Sequence, residues 1–398
     1  MKKTETLIIG GGVVGASVAF HLAERGARDV LILESEPVQG RGSTGAATGG
    51  VRAQFETDIN ILMSLYSIDF FRNWEFDCGY DPKGYLFFAT TDEQFEYLKN
   101  NVCRQLDLGV KDVGIVDTQT ISEIVPGLNC EDIIGGSFGK YDGFIDPLAV
   151  MRGFTEGALK NDAKIELSVR VSAVRTAKGK IVGVETNNGS VDCENVVLCT
   201  GAMAKDLAAT AGIDLPVEPQ RRQIVWAKAQ KPLPPDLPMV IDIGSGFHFR
   251  PAREFSLTRA PVAIARGSDV CDQILFAYPD RDEPSSINMD FEDSFIEKVY
   301  ERAKHRASFL FESEVVREKC RAGLYENTPD HHAVLGGCGV EGLYFANGFS
   351  GHGVMHSPAT GRAMAEIILD GRAGFLDVSC LSIERFANGE MLHETAFI

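Results

Sequence analysis

The first 34 residues combine two short apolar runs with one helical pattern. Residues 7–9 are entirely apolar, as in a buried parallel strand. A helical pattern extends from Val14 to about Glu24 and ends at Arg25 and Gly26, and a second apolar run follows at Val30–Leu33. The pattern predicts a strand, a helix and a second strand parallel to the first.

Glycines at fixed spacing separate the first strand from the helix. Gly10 permits a tight turn, Gly12 lets a pyrophosphate approach the backbone, and Gly15 lets the helix pack on the strand. The helix N-terminus offers free N–H groups to phosphates, and Glu34 is placed to bind ribose hydroxyls, which disfavours NADP. The unit predicts a dinucleotide site without choosing FAD over NAD. Its predicted contact residues are Gly10, Gly12, Val13, Val14, Gly15, Glu34 and Ser35.

A glycine-rich segment follows at residues 42–55, with the sequence G-S-T-G-A-A-T-G-G-V-R-A-Q-F. It is too rich in glycine for a strand or a long helix, and such loops bring backbone N–H groups close to a planar or anionic ligand. Its composition alone also fits a flexible surface linker. However, it leads directly into a helical pattern at Ile59, Leu62, Leu65, Tyr66 and Phe70, so it is held between structured elements.

These segments and later motifs resemble the sarcosine oxidase, glycine oxidase and D-amino-acid oxidase flavoproteins. The segment 42–55 is most similar to the branch that contains the sarcosine oxidase beta subunit and the proline dehydrogenase beta subunit. The later motifs are D-G-F-I-D-P at 142–147, V-V-L-C-T-G-A at 196–202, G-L-Y-E-N-T-P-D at 323–330 and G-F-S-G-H-G at 348–353. The resemblance spans nearly the whole chain, apart from an insertion near 252–272.

The resemblance implies an α/β fold, α+β overall, with a Rossmann-like FAD/NAD(P)-binding domain and a second, antiparallel-sheet substrate domain. The FAD-binding domain is expected to be discontinuous, with residues 1–84, 141–215 and 319–398. The substrate domain is expected to take residues 85–140 and 216–318. Hairpin signals at Lys178-Gly179 and Asn188-Gly189 also predict a meander of short strands before the buried strand near 196.

The resemblance also implies that FAD is the cofactor. Near residue 350, a glycine loop and the helix after it would bring N–H groups to the flavin, with Ser357 as the helix cap and Pro358 at its first position. Beyond the N-terminal unit, the predicted FAD-binding residues are Gly42, Ser43, Thr44, Thr48, Gly49, Gly50, Val171, Cys199, Thr200, Gly201, Gly323, Tyr325, Gly348, Ser350, Gly351, His352, Gly353, Val354 and Met355.

Three side chains are predicted to act on the substrate. Arg52 is the carboxylate anchor, because a guanidinium can hold a carboxylate through two parallel hydrogen bonds and the resemblance places an arginine beside the flavin. An ordinary solvated or ion-paired arginine is the alternative. His352 either interacts with the flavin or substrate, or hydrogen-bonds to backbone. In the strand 247–250, alternation separates the phenylalanines from His248 and Arg250, and the resemblance favours Phe249 facing the substrate.

Three positions depart from the monomeric sarcosine oxidases. The cysteine that binds their FAD covalently is Gly323 here, which predicts non-covalent FAD. A lysine of their flavin loop is Met355, and their oxygen-activating lysine would fall at about Leu275. The last difference favours transfer of electrons to a carrier over fast reaction with oxygen. Oxygen, a quinone and a partner protein all stay open as the electron acceptor.

The leading functional prediction is oxidation of the C–N bond of a small secondary-amine amino acid to an imine. Sarcosine, proline, hydroxyproline and dimethylglycine are the types considered. A primary-amine enzyme acting on glycine or a D-amino acid is the nearest alternative, and a non-catalytic flavoprotein subunit or assembly factor is another. An FAD-dependent glycerol-3-phosphate dehydrogenase is disfavoured, because a phosphate site should bring a denser basic cluster.

Composition narrows the partners and the compartment. The formal net charge of -17 repels phosphate backbones, so nucleic acid is not expected to bind. The nine cysteines have no C-x-x-C spacing, which gives no support to a metal site, and their odd number and scattered positions predict a reducing compartment. The basic and apolar N-terminus imitates a signal peptide, but Glu5 and the glycines interrupt it. We therefore predict a cytoplasmic protein without a membrane span, with a hetero-oligomer left open.

Overall fold

A computed structural model describes residues 2–252 and 271–394 of the chain. The insertion near 252–272 lies almost entirely outside the described residues. Within them, no helix is both long and apolar enough to cross a bilayer. The helices are α1 (Val13–Glu24), α2 (Ser43–Ala46), α3 (Asp58–Asn73), α4 (Asp92–Asp107), α5 (Thr118–Ile124), α6 (Pro147–Lys160), α7 (Ala204–Thr210), α8 (Ser294–Arg306), α9 (Ser308–Phe311), α10 (Gly353–Asp370) and α11 (Glu384–Asn388).

The strands form two large sheets and one small one. They are β1 (Lys2–Ile9), β2 (Val30–Leu33), β3 (Gly50–Val51), β4 (Tyr85–Ala89), β5 (Val113–Val116), β6 (Gly135–Gly139), β7 (Gly143–Phe144), β8 (Lys164–Glu166), β9 (Val171–Ala177), β10 (Lys180–Thr186), β11 (Gly189–Leu198), β12 (Glu218–Lys228), β13 (Met239–Asp242), β14 (His248–Pro251), β15 (Gln273–Ala277), β16 (Glu314–Val315), β17 (Arg321–Asn327), β18 (Val334–Gly337) and β19 (Leu343–Asn347).

The first sheet has the strand order β18-β19-β11-β1-β2-β8. From β19 to β8 the neighbouring strands are parallel, and β18 is antiparallel to β19. Ile8 packs with α1 and α10 on one face, while Leu7 and Ile9 pack with β9, β10 and α7 on the other. Because both faces of the C-terminal end of β1 are covered, residues 7–9 have no polar side, which explains their apolar run.

The predicted meander precedes the buried end of β11. Strands β9, β10 and β11 pair antiparallel in sequence order. Lys178 and Gly179 both have positive φ, 53° and 75°, as a tight two-residue hairpin turn requires. The second turn is centred on Asn187 and Asn188, one residue earlier than predicted. The meander covers the face of the first sheet opposite α1 and α10.

The second sheet has the order β16-β12-β15-β14-β13-β4-β6-β5, with β17 also paired to β12. Its neighbouring strands are antiparallel except β4 and β13, which are parallel. Strand β17 lies within the range 319–398 predicted for the FAD-binding domain, yet it pairs along its whole length with β12. The chain therefore crosses between the sheets at β17, while the domain boundaries themselves stay a prediction.

Helix α10 begins earlier than its sequence predicts. It starts at Gly353, so Ser357 is not its cap and Pro358 lies inside it. Proline lacks the N–H that would bond to the carbonyl of Val354, four residues earlier. The hydroxyl of Ser357 donates to that carbonyl instead, at 2.8 Å. This substitute hydrogen bond explains how the helix continues through the proline and corrects the predicted start.

Candidate active site

A cavity of about 910 Å³ lies between the two large sheets. The carboxyl ends of β1, β2 and β11 border it, through Ile9, Leu33 and the following Cys199. From the second sheet, β12 to β15 contribute residues that include Met239 and His248. The edge of a parallel sheet at its carboxyl ends is the usual position of a ligand in α/β folds. The cavity is therefore the candidate active site.

Most of the predicted site residues lie in the cavity wall, but Gly15, Phe249, Gly348 and Ser350 do not. A Cβ on Gly15 would lie 2.0 Å from the carbonyl oxygen of Gly10, so this glycine serves the close packing of α1. The residues in the wall are Gly10, Gly12, Val13, Val14, Glu34, Ser35, Gly42, Ser43, Thr44, Thr48, Gly49, Gly50, Arg52, Val171, Cys199, Thr200, Gly201, Gly323, Tyr325, Gly351, His352, Gly353, Val354 and Met355.

The start of α1 forms one end of the cavity. Gly12 precedes the helix and has no side chain to cap it. The N–H of Gly11 donates to Oε2 of Glu34 at 2.8 Å, and the N–H of Val13 donates to Oγ1 of Thr44 at 3.1 Å. The Glu34 carboxylate is thus fixed at the end of β2, beside a helix N-terminus whose partial positive charge favours an anionic group.

Several buried polar atoms in the described part of the chain have no hydrogen-bond partner. Four of them belong to residues of the cavity wall: Oγ1 of Thr200, Nε of Arg222, Oδ1 of Asn347 and Nε2 of His352. Buried donors and acceptors in folded proteins are ordinarily paired. A ligand with polar groups distributed along the cavity would supply the missing partners.

Arg52 extends from the end of β3 into this wall and is 3% exposed. Its Nη1 donates to the carbonyl of Gln54 at 2.5 Å, and its guanidinium lies over the rings of Phe55 and Phe87, with centroids at 4.0 and 5.3 Å. Among the described residues, no Asp or Glu forms an ion pair with it. The aromatic rings hold the cation in place and leave it available to an external carboxylate.

Two buried histidines, His352 and His356, contact the same Phe55 ring over which Arg52 lies. The rings of His352 and Phe55 are perpendicular, with centroids 4.9 Å apart, and Nε2 of His356 lies 2.9 Å from the hydroxyl of Ser64. Burial, with the neighbouring Arg52 charge, lowers the pKa of His352 well below its usual value and that of His356 to about 3. Both imidazoles are therefore neutral near pH 7, and His352 faces the cavity without adding charge.

The prediction that Phe249 faces the substrate is wrong. Phe249 is fully buried in the apolar core of the second sheet, where it packs on Phe247 and Phe309. His248 lines the cavity instead. The predicted alternation along β14 holds, with the phenylalanines on one face and His248 on the other. Which of the two faces meets the cavity depends on the side of the sheet that carries α8 and α9, and the strand alone does not reveal that.

Three further residues of the wall were not predicted from the sequence: Tyr85, Arg222 and Glu326. Burial raises the pKa of Glu326 to about 7, and backbone N–H groups of Gly348 and Phe349 partly offset the rise. Tyr85 and Arg222 reach the cavity from β4 and β12 of the second sheet. Their position follows from strand pairing, which has no local sequence signal.

The match to known proteins identifies the family. A model of the DAO family, FAD dependent oxidoreductase, matches residues 5–367. The chain belongs to this family. A curated relative, FAD-dependent oxidoreductase domain-containing protein 1 of Xenopus laevis, is 32% identical over 99% of this chain and 84% of its own length. Mitochondrial dimethylglycine dehydrogenase of Rattus norvegicus is 27% identical over 94% of this chain and 44% of its own.

A solved structure gives the same assignment for this FAD dependent oxidoreductase. L-proline dehydrogenase from P.horikoshii superimposes with a TM-score of 0.86 at 28% identity, and the match covers 98% of this chain and 100% of the dehydrogenase chain. The mixed fold and the resemblance expected from the sequence are thereby confirmed, as is FAD as the cofactor. The protein is an oxidoreductase related to amine and amino-acid oxidases and dehydrogenases.

The cavity of this FAD dependent oxidoreductase fits its cofactor. Gly10 has φ 104°, and a Cβ there would lie 2.3 Å from the carbonyl oxygen of Cys199. Apart from its chain neighbours, the described atom within 4 Å of such a Cβ at Gly12 is Oγ1 of Thr44, at 3.2 Å, so the backbone is open to a close ligand. Gly12 and Val13 would hold the pyrophosphate and Glu34 the ribose, while the start of α10 and Thr200 would contact the flavin half.

Proposed function

We propose that this protein oxidises the C–N bond of a small secondary-amine amino acid to an imine with non-covalently bound FAD. The substrates considered are the secondary amines sarcosine, proline and hydroxyproline, and also dimethylglycine, a tertiary amine that would give an iminium ion instead of an imine. The observation that carries the proposal is Arg52, a buried guanidinium in the cavity wall without an ion-pair partner among the described residues. Such a cation binds the carboxylate that every amino acid carries.

The relatives support an amino-acid substrate. L-proline dehydrogenase and dimethylglycine dehydrogenase both have names that specify an amino acid with a substituted nitrogen. The first curated relative has no substrate in its name. The chain offers the same family scaffold with an arginine beside the flavin loop, and this combination favours N-substituted amino acids over neutral amines.

The residues around the cavity suit removal of hydride from a carbon that bears a neutral amine. Bound FAD would accept the hydride equivalent lost by that carbon. Arg52 orients the substrate through its carboxylate, and the apolar side chains of Met239 and Ile241 exclude water from one side. Neutral His352 leaves the amine without an added cationic neighbour, which favours its unprotonated, reactive form.

Non-covalent FAD is supported by the thiols. Position 323 is glycine, and Cys199 is the cysteine found in the described cavity wall. Burial raises the pKa of the Cys199 thiol far above its usual value, so it stays protonated and unreactive.

Leu275, the position expected for the oxygen-activating lysine, is buried in the second sheet's core, away from the cavity wall. The absence of a lysine there favours a dehydrogenase that passes electrons to a quinone or a partner protein, and we keep the cytoplasm as its proposed compartment.

The decisive experiment is an anaerobic titration of the purified protein, followed by its flavin absorption. Sarcosine, proline, hydroxyproline, dimethylglycine, glycine and D-alanine are added in turn. Bleaching by one of the first four supports the proposal, and readmitted air then separates an oxidase from a dehydrogenase. Bleaching by glycine or D-alanine alone favours the primary-amine alternative. A bound flavin that none of them bleaches overturns the proposed function and favours a non-catalytic subunit.

A further inference from the structure

A second guanidinium, that of Arg222, reaches the same cavity from β12 of the second sheet. Arg222 lies on β12 directly across from Gly323 on β17, and both residues line the cavity. Its guanidinium lies over the ring of Tyr325, with 5.3 Å between Cζ and the ring centroid. Burial raises the pKa of the Tyr325 phenol, and the charges of Arg222 and Arg52 both oppose that rise. The charges of both arginines therefore act on the same phenol in the cavity wall.

The hydrogen bonds of Arg222 leave its charge unpaired. Nη2 donates to Oε1 of Gln220 at 2.8 Å, and Nη1 donates to the carbonyl of Arg221 at 3.2 Å. Both acceptors are neutral. Nε is buried and has no hydrogen-bond partner in the part of the chain that the structure describes. Among the described residues, no carboxylate forms an ion pair with this guanidinium.

The two acidic residues whose charges act on Arg222 are already paired with other cations. Glu283 accepts from Nε of Arg221 at 2.8 Å, and Asp280 accepts from Nζ of Lys298 at 2.7 Å. Burial lowers the pKa of Arg222, which is the usual effect of taking a cation out of water without a counter-charge. The Arg222 side chain is half-buried, and its buried Nε has no acceptor among the described residues, so a ligand anion in the cavity would supply the missing partner.

We propose that Arg222 binds a second acid group of the substrate, so that the substrate is an N-alkyl amino acid with an additional carboxylate. The inference rests on the proposed function, in which Arg52 holds the first carboxylate. Overall the protein carries a net charge of -17, which repels a dianion at long range. Two local cations facing one cavity overcome that repulsion at short range. They also distinguish a dianionic substrate from a monoanion.

The test compares each acidic substrate with its uncharged counterpart of the same size. N-methylaspartate and N-methylglutamate are compared with their side-chain amides, N-methylasparagine and N-methylglutamine, by anaerobic reduction of the flavin in the holoenzyme. We expect one acid to reduce the flavin with an apparent affinity at least about tenfold higher than its amide. A wild-type enzyme that treats both acids and their amides alike overturns the proposal and leaves the proposed function intact.

Variants locate the effect. In Arg222→Gln the preference for acid over amide should fall below about twofold, and Arg222→Lys should keep part of it because the charge is retained. Arg72→Gln is the matched control: Arg72 also lies over a tyrosine ring, Tyr141 at 4.5 Å, but outside the cavity wall, so the preference should not change. Equal loss for acid and amide in Arg222→Gln would assign Arg222 to the flavin and overturn the proposal.

A binding measurement keeps the two proposals separable. Thiodiacetate and (methylthio)acetate differ by one carboxylate, and their sulfur cannot form an imine. Their binding is followed through the shift of the flavin spectrum. If no amine bleaches the flavin, the proposed function fails, yet wild-type protein that binds thiodiacetate at least about tenfold more tightly, with the difference lost in Arg222→Gln, upholds the second acid site. Equal binding of both thioethers overturns it.

Discussion

The carboxylate of Asp142 accepts a hydrogen bond from the backbone N–H of Ala53, with 2.7 Å between the nitrogen and Oδ1. Its Oδ2 accepts from Nε2 of Gln54 at 2.9 Å. Asp142 is buried and follows β6, so the second sheet fixes the backbone on the C-terminal side of Arg52. The direction of the proposed carboxylate anchor thus depends on a carboxyl group that does not itself face the cavity.

Asp142 should make the stability of the protein depend on pH. Burial raises its pKa to about 7, although Gln54, Ala53 and Arg52 partly offset the rise. The folded state therefore keeps the proton at pH values where the unfolded chain has released it, and stability falls as pH rises from the ordinary pKa of Asp toward 7. Above that value the loss is complete. Asp142→Asn should remove about 2–3 kcal/mol of this dependence between pH 5 and pH 7.

The measurement is urea denaturation of both proteins at several pH values across that interval. Asn keeps an acceptor for Ala53 but turns an amide toward the Gln54 amide, so the variant should be less stable at pH 5 and approach the wild type near pH 7. Asp377, which is exposed, gives Asp377→Asn as a control that should retain the wild-type slope. Parallel curves for wild type and Asp142→Asn would contradict the prediction.

Arg52→Ala should retain FAD and lose apparent substrate affinity. The variant removes the proposed partner of the substrate carboxylate, and the expected loss in kcat/KM corresponds to about 2–5 kcal/mol. The ratio of flavin to protein absorbance monitors cofactor content, and steady-state kinetics with the substrate that bleaches the flavin gives the loss. Arg72→Ala, outside the cavity, is the control. Unchanged kinetics in Arg52→Ala would remove Arg52 from the site.

The sequence predicted well those features that depend on local order. The strand, glycine loop and helix of residues 7–24 and the family follow from short motifs, because each motif has its own steric or electrostatic task. Phe249 and Pro358 were assigned wrongly for different reasons: one depends on which face of a sheet is covered, the other on a hydroxyl that replaces a lost N–H. Arg222 depends on the register of β12 against β17, which no local pattern encodes.

Gly50→Ala should destabilise the glycine-rich segment 42–55 through one contact. A Cβ at Gly50 would lie 1.8 Å from the hydroxyl oxygen of Tyr85 and 3.1 Å from its Cζ. We expect a loss of about 1–3 kcal/mol in the free energy of unfolding and weaker FAD binding. Adding Tyr85→Phe removes the nearest atom, so the double variant should recover much of the loss, and thermal denaturation of all four proteins measures the coupling. Strictly additive effects would show that this contact is not the cause.

Glu394 should stabilise the substrate anchor through helix α3. It is 2% exposed and accepts hydrogen bonds from the N–H of Glu56 at 2.8 Å, and from the hydroxyl of Thr57 at 2.9 Å and Nδ2 of Asn60 at 3.2 Å. These groups surround the start of α3, directly after the segment that carries Arg52. Glu394→Ala leaves buried donors without an acceptor and should cost about 1–3 kcal/mol of stability.

The same variant should raise KM more than it lowers kcat, because it loosens the segment that positions Arg52 without touching the flavin loop. Thermal denaturation gives the stability loss, steady-state kinetics gives the KM, and flavin absorbance should stay unchanged. Glu394→Gln retains one acceptor oxygen and should be intermediate. The neighbouring His393 is exposed, so His393→Ala is the matched control. Equal melting temperatures for Glu394→Ala and His393→Ala would mean that the side-chain carboxylate of Glu394 does not stabilise the start of α3.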